Sequence, residues 1–287
     1  MKKPQIITAT VAVVALIVLL AFGRTIPRPG AKTAPAMAEK GDTASEGAVA
    51  GFSIDTVLAV SKKELKPEQA LRLDLLEKSI TRGAVKQQQL DVYQHLANFW
   101  RDTAQAFIPF AWYTAQAARL ENSEKKLNFA GQLFLNQLTR QDNDAQRHWM
   151  AEQAADLFEK TLELNAANDS AKVGLGATYL YGGLGSPMEG IGKIREVVEK
   201  DSNNVYAQMT LATASLMSGQ KEKAKERLET VLRMQPQNLQ AILMLGDLFE
   251  KDGDKPQAAA LYSKAAKLVQ RKDLKEELEK RIEELKK

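Results

Sequence analysis

The sequence contains no cysteine and only two histidines, His95 and His148, in 287 residues. The first absence excludes a disulfide framework, a thiolate nucleophile and cysteine-ligated zinc. The second leaves too few imidazoles for a histidine-built metal site to be expected. Aromatics are scarce at 6%, whereas charged residues make up 26%. That balance describes an ordered chain with a polar surface. A regional surplus of positive charge is missing too. The net charge is +4, and residues 1–50 carry +3 of it: Lys2, Lys3, Arg24, Arg28, Lys32 and Lys40 stand against Glu39, Asp42 and Glu46. The other 237 residues hold 34 basic and 33 acidic side chains, close to balance. A nucleic-acid-binding domain would keep a basic surplus of its own, so no nucleic-acid partner is expected.

One long apolar run is present. Ile6 to Phe22 reads IITATVAVVALIVLLAF, without a charge, and Thr8 and Thr10 are its only polar side chains. Seventeen residues at about 1.5 Å each span roughly 26 Å, close to the hydrocarbon core of a bilayer. Ala36-Met37-Ala38 has the form of a signal-peptide cleavage site but lies fourteen or more residues beyond the run. An uncleaved anchor over residues 1–23 is therefore expected, with a single pass through the inner membrane. Its very short N-terminal tail places the bulk of the chain on the extracytoplasmic side. Residues 24–50 follow as a Pro/Ala/Gly linker, with three prolines, three glycines and seven alanines. Such a segment carries too little apolar surface to order itself.

The remainder repeats with a period of 34. With Val205 as position 1, Leu211 is position 7, Ala212 position 8, Gly219 position 15, Ala224 position 20, Leu228 position 24, Val231 position 27 and Pro236 position 32. Thirty-four residues on, from Leu239, the same positions hold Leu245, Gly246, Gly253, Ala258, Tyr262 and Ala265, with Phe249 at position 11. Positions 4, 7, 8 and 11 share one face of a first helix; 20, 24 and 27 share one face of a second. Small residues at 8 and 20 let the two helices approach, and glycine at 15 closes the first helix. A unit of this kind cannot bury its face alone, so neighbours stack.

Leu245-Gly246-x-x-Phe249, Gly253, Ala258 and Tyr262 resemble the tetratricopeptide repeat (TPR) family. The resemblance implies an all-α, TPR-like right-handed solenoid of helix pairs, here behind an N-terminal transmembrane helix. Three repeats are expected over 169–270, at 169–204, 205–238 and 239–270. The first has Leu175-Gly176-x-x-Tyr179, then Gly190, Ile194 and Val197, and a turn lengthened by two residues between Gly182 and Pro187. Residues 51–168 read as helical with degenerate TPR-like repeats. There Ala130-Gly131-x-x-Phe134 pairs with Ala154, Phe158 and Thr161, and Leu96-Ala97-x-x-Trp100 with 107–118. Residues 271–287 read as a capping helix with one apolar stripe, Leu274, Leu278, Ile282 and Leu285. Asp273 and Glu276 have the spacing of a capping box.

Catalytic patterns fail at required positions. Gly174-x-Gly176 meets Tyr179 where a dinucleotide fingerprint needs glycine, and Gly192-Lys193 lacks the first glycine of a P-loop, with Pro187 in its place. No Gly-x-Ser-x-Gly elbow occurs. His148 has no evident carboxylate to orient it, and His95 has Asp91 one turn earlier. The paired glutamates near the C-terminus belong to a solvated helix, and Phe107, Phe110, Trp112 and Tyr113 to the core. No enzyme activity and no cofactor are expected.

The resemblance places the concave face at positions 2, 5, 9, 12 and 13 of each first helix. A partner-binding groove is accordingly expected at Val173, Ala177, Tyr181, Tyr206, Met209, Thr213, Met217, Leu243, Asp247 and Glu250. The lysine, arginine and asparagine that would clamp a terminal carboxylate are missing from these positions. An apolar, methionine-bearing groove with an acidic end suits protein or peptide partners such as amphipathic helices. The expected function is a membrane-anchored scaffold for assembly, folding or translocation of envelope proteins. The narrower alternative is an accessory subunit of an assembly machine such as cytochrome c maturation.

Overall fold

A computed structural model describes residues 52–80 and 85–287. The anchor expected at 1–23 and the linker expected at 24–50 lie outside the described residues. Among the described residues there are thirteen α-helices, no strand, and no helix long and apolar enough to cross a membrane.

The helices are α1 (Ile54–Lys63), α2 (Pro67–Ile80), α3 (Lys86–Asn98), α4 (Phe107–Glu121), α5 (Glu124–Leu138), α6 (Asp144–Leu164), α7 (Asp169–Gly182), α8 (Pro187–Lys200), α9 (Val205–Met217), α10 (Lys221–Met234), α11 (Leu239–Lys251), α12 (Lys255–Leu268) and α13 (Lys272–Leu285). From α3 onward each helix packs on the next, with a π-helical turn at Phe99–Thr103 between α3 and α4. α5 also touches α7, and α7 touches α9. The first helices of successive pairs therefore lie side by side, as stacking of two-helix units requires.

The interior follows the repeat register. Ala212, Ala224, Leu228, Val231, Ala241 and Leu245 are buried in one cluster. Ala258, Tyr262 and Ala265 are fully buried in the next. The small residue at position 8 receives the side chain at position 24. A Cβ on Gly246 would sit 2.8 Å from the Tyr262 ring, and one on Gly131 would sit 2.8 Å from the Phe158 ring. The degenerate unit thus packs in the same way as the regular one. Gly219 and Gly253, at position 15, adopt φ of 73° and 81°. The amide after each donates back to the carbonyl five residues earlier, Gln220 to Ser215 and Asp254 to Phe249, which closes the helix in a Schellman turn.

The lengthened unit differs from expectation in detail. Its two extra residues do not both enter the turn. Gly182 extends α7, where a Cβ would meet that of Ala151 at 2.2 Å, and Pro187 is already the first residue of α8. Only glycine allows so close a crossing with α6. The C-terminal helix also starts differently. Arg271 precedes α13 without a side-chain cap, and Asp273 pairs with Arg271 instead of closing a capping box. Leu278 and Ile282 are buried against α12, and Leu274 and Leu285 pack beside them.

Candidate peptide-binding groove

Four first helices, α5, α7, α9 and α11, supply side chains to one concave surface. Its middle holds about 400 Å³ between Leu135 and Asn136 of α5, Ala177 and Tyr181 of α7, Tyr206, Met209 and Thr213 of α9, and Gln240 of α11. A second hollow of about 840 Å³ continues past Thr139, Tyr181 and Thr213, which line both. It reaches Leu180, Met217 and the α5–α6 turn, where Asp142, Asp144, Arg147 and His148 form a polar rim.

The groove owes its shape to hydrogen bonds that hold its aromatic walls. The Tyr206 hydroxyl meets the Gln132 amide, with Nε2 at 3.1 Å, so α9 is tied to α5 across α7. Burial pushes the Tyr181 hydroxyl up to about 12; a hydrogen bond with Thr213 offsets part of this. Burial likewise raises Tyr206, with Gln132 opposing. Both phenols are therefore neutral at physiological pH, and the wall carries no charge of its own. The Thr213 hydroxyl donates to the Met209 carbonyl at 3.1 Å, which satisfies it without a partner. Met217 is 66% exposed and lines the second hollow beside Leu180 and Tyr181.

The expected groove residues divide into three groups. Tyr181, Tyr206, Met209, Thr213 and Met217 come together with Ala177 at the floor. Val173 is fully buried among Ile194, Val197, Ala207 and Leu211, because α8 and α9 close over it. Leu243, Asp247 and Glu250 stand apart. Leu243 packs into the cluster that includes Leu278 and Ile282 of α13. The Tyr262 hydroxyl lies 2.6 Å from Asp247 Oδ1 and 2.8 Å from Glu250 Oε2. Arg281 of α13 adds a bond to Glu250 at 2.7 Å, a contact to Asp247 at 3.3 Å, and stacking on the Tyr262 ring. The acidic end is thus engaged by the chain's own last helix.

Sequence reasoning missed the α5 wall. Counting positions 12 and 13 in the unit whose Ala130 and Gly131 are 7 and 8 yields Leu135 and Asn136, so the signal was present. It also missed a carboxylate for His148. Glu152, one turn on, stands 3.4 Å from His148 Nε2, and together they form part of an exposed helix edge. Asn168, Asn204 and Asn238 each cap a first helix, accepting from the amides of Ala171, Ala207 and Ala241. Their recurrence just before position 1 was likewise legible.

Residues 209–272 match the tetratricopeptide repeat family model. Over that stretch Gly246 at position 8 receives the Tyr262 ring at position 24, and Ala258 at position 20 is fully buried, as the repeat register requires. Similar solved structures include TTC0263, a thermophilic TPR protein in Thermus thermophilus, at 13% identity, with 69% of this chain and 99% of that chain covered and a TM-score of 0.49. YrrB, a TPR protein with an unusual peptide-binding site, is 17% identical over 71% of this chain and 97% of that one, with a TM-score of 0.40. MamA from residue 41 onward, from Desulfovibrio magneticus RS-1, is 20% identical over 62% and 94%, with a TM-score of 0.43. No curated protein matches the sequence.

Proposed function

We propose that this chain is a membrane-anchored TPR scaffold that holds a partner protein by a peptide segment in the α5–α7–α9 groove. The observation that carries the reading is the groove itself. Tyr181, Tyr206 and Met209 are held half-buried, Met217 is 66% exposed, and α13 does not reach them. Aromatic and methionine side chains on a rigid wall suit the apolar face of an amphipathic helix, whose polar edge would meet Asp142, Arg147 and His148. The apolar run at 6–22, the basic residues flanking it and the linker after it support anchorage in the inner membrane, with the repeats outside the cytoplasm. In that location the scaffold serves the assembly, folding or translocation of envelope proteins. Binding, not catalysis, is its activity.

Affinity purification of the full chain in mild detergent, beside Met209→Glu/Met217→Glu, tests the groove. Partners captured by the wild type and lost from the double variant support it; partners retained by the variant move recognition elsewhere. Anchorage is checked by alkaline carbonate extraction and by protease digestion in intact spheroplasts. Release by carbonate removes the anchor from the proposal, and protection of the repeats in spheroplasts reverses the orientation.

A further inference from the structure

A second cleft lies away from the groove, between α8, α9 and α10. It holds about 50 Å³; beside the apolar Ile191, Leu211 and Ala214 it is lined by Arg195 of α8, Ser215 of α9, Ser218 and Gln220 of the α9–α10 turn, and Lys223 and Arg227 of α10. Lys223 and Arg227 are one helical turn apart and share a face. Among the described residues none of the three cations forms an ion pair with a carboxylate. What holds them is neutral. Arg227 donates to Gln208 Oε1 at 2.9 Å, and Gln208 is buried and itself donates to the Ser202 carbonyl. Lys223 donates to Gln220 Oε1 at 2.6 Å, and Gln220 in turn donates to the Ser218 hydroxyl.

Arrangements of this kind are costly when left alone. Burial lowers the Arg227 guanidinium below the usual arginine range, and the facing Arg195 lowers it further; Glu226 offsets only part. Two guanidiniums directed at one small volume, without an acid between them, repel. The repeat does not require this. Thirty-four residues on, in α10 and α12, the corresponding positions are Glu229, Gln257 and Leu261. The cations are peculiar to one cleft.

We infer that the α8–α10 cleft is a binding site for a small tetrahedral oxyanion of the phosphate class, held by Arg195, Lys223 and Arg227. A dianion with three or four oxygens answers three converging donors; a lone carboxylate brings one charge and two oxygens. Cavities need about 10–15 Å³ to hold one water, so the cleft has room for a few waters or one such ion. Ser218 and Gln220, in the turn that leads into α10, line the same cleft and add neutral polar groups beside the cations.

The test titrates inorganic phosphate into the full chain in detergent, with sodium chloride adjusted to constant ionic strength. Calorimetry and thermal unfolding are read together. The wild type is expected to show saturable heat at one site and a rise in Tm that chloride does not reproduce. Arg195→Gln and Lys223→Gln, both at exposed positions, are each expected to weaken phosphate at least tenfold while the helical circular dichroism is unchanged. In chloride alone Arg195→Gln should melt no lower than the wild type, since a repulsion has been removed. Phosphoserine run in parallel identifies the source: equal affinity assigns a phosphate monoester displayed by a partner, and binding of inorganic phosphate alone assigns the free ion. Phosphate acting no more strongly than chloride, or acting undiminished on both variants, overturns the site.

Discussion

Asn168, Asn204 and Asn238 show how a single side chain starts each first helix. Each accepts a bond from the amide three residues on, at 2.8 to 3.0 Å, and so satisfies a donor the helix cannot. Asn238→Ala is expected to cost about 1 kcal/mol in urea unfolding, with the slope unchanged. Gly246 acts by having no side chain. Its alanine variant would place a Cβ 2.8 Å from the Tyr262 ring, and the ring is fully buried with its hydroxyl bonded to Asp247 and Glu250. Gly246→Ala should destabilise by roughly 1–3 kcal/mol despite alanine's better helix propensity. A gain in stability would show that the ring moves freely.

At the scale of the element, ion pairs tie neighbouring helices. Asp156 of α6 accepts from Arg119 of α4 at 2.7 Å and also pairs with Lys160 one turn on. Burial pushes its carboxyl up, but the bonds from Lys160 and Arg119 outweigh burial and leave it below the ordinary range. A carboxylate depressed in the folded state stabilises above its unfolded pKa, near 4, and loses that contribution as pH falls through the lower folded value. Asp156→Asn should therefore be less stable than the wild type at pH 7, and the gap should close below about pH 4. Urea midpoints measured from pH 7 to pH 2 decide this; a constant gap would assign the loss to packing alone. The last element, α13, covers the final repeat through Leu278, Ile282 and Arg281. Arg281→Leu removes the countercharge to Asp247 and Glu250, and hydrogen exchange is expected to accelerate in α12 and α13.

The whole molecule inherits the locality of its contacts. From α3 onward each helix touches its sequence neighbours and, at some positions, the next helix but one. Stability in such an array is a sum of unit and nearest-neighbour contributions, so damage stays near its source. Tyr262→Ala should loosen α11 to α13 while the amides of α5 to α7 keep their protection in hydrogen exchange. Uniform loss of protection would mean that the array unfolds as one cooperative block.

Most of this architecture was legible at the residue level because a 34-residue period imposes one face per helix, and burial then obeys it. Leu211, Ala212, Ala224, Leu228 and Val231 are interior as the register requires. The π-helical turn at Phe99–Thr103 was not legible, since it arises where Phe99 and Trp100, adjacent in sequence, both turn inward and are fully buried. Sequence alone determined the helical class, the repeat register and the glycine caps, all of which follow from spacing within a unit. Only the tertiary structure decided which groove positions stay open. Val173 is sealed because α8 and α9 meet over it, and Asp247 and Glu250 are taken by Arg281 from thirty or more residues downstream. The cations of the α8–α10 cleft converge for the same reason: Arg195 and Arg227 belong to different units, and no spacing within either one brings them together.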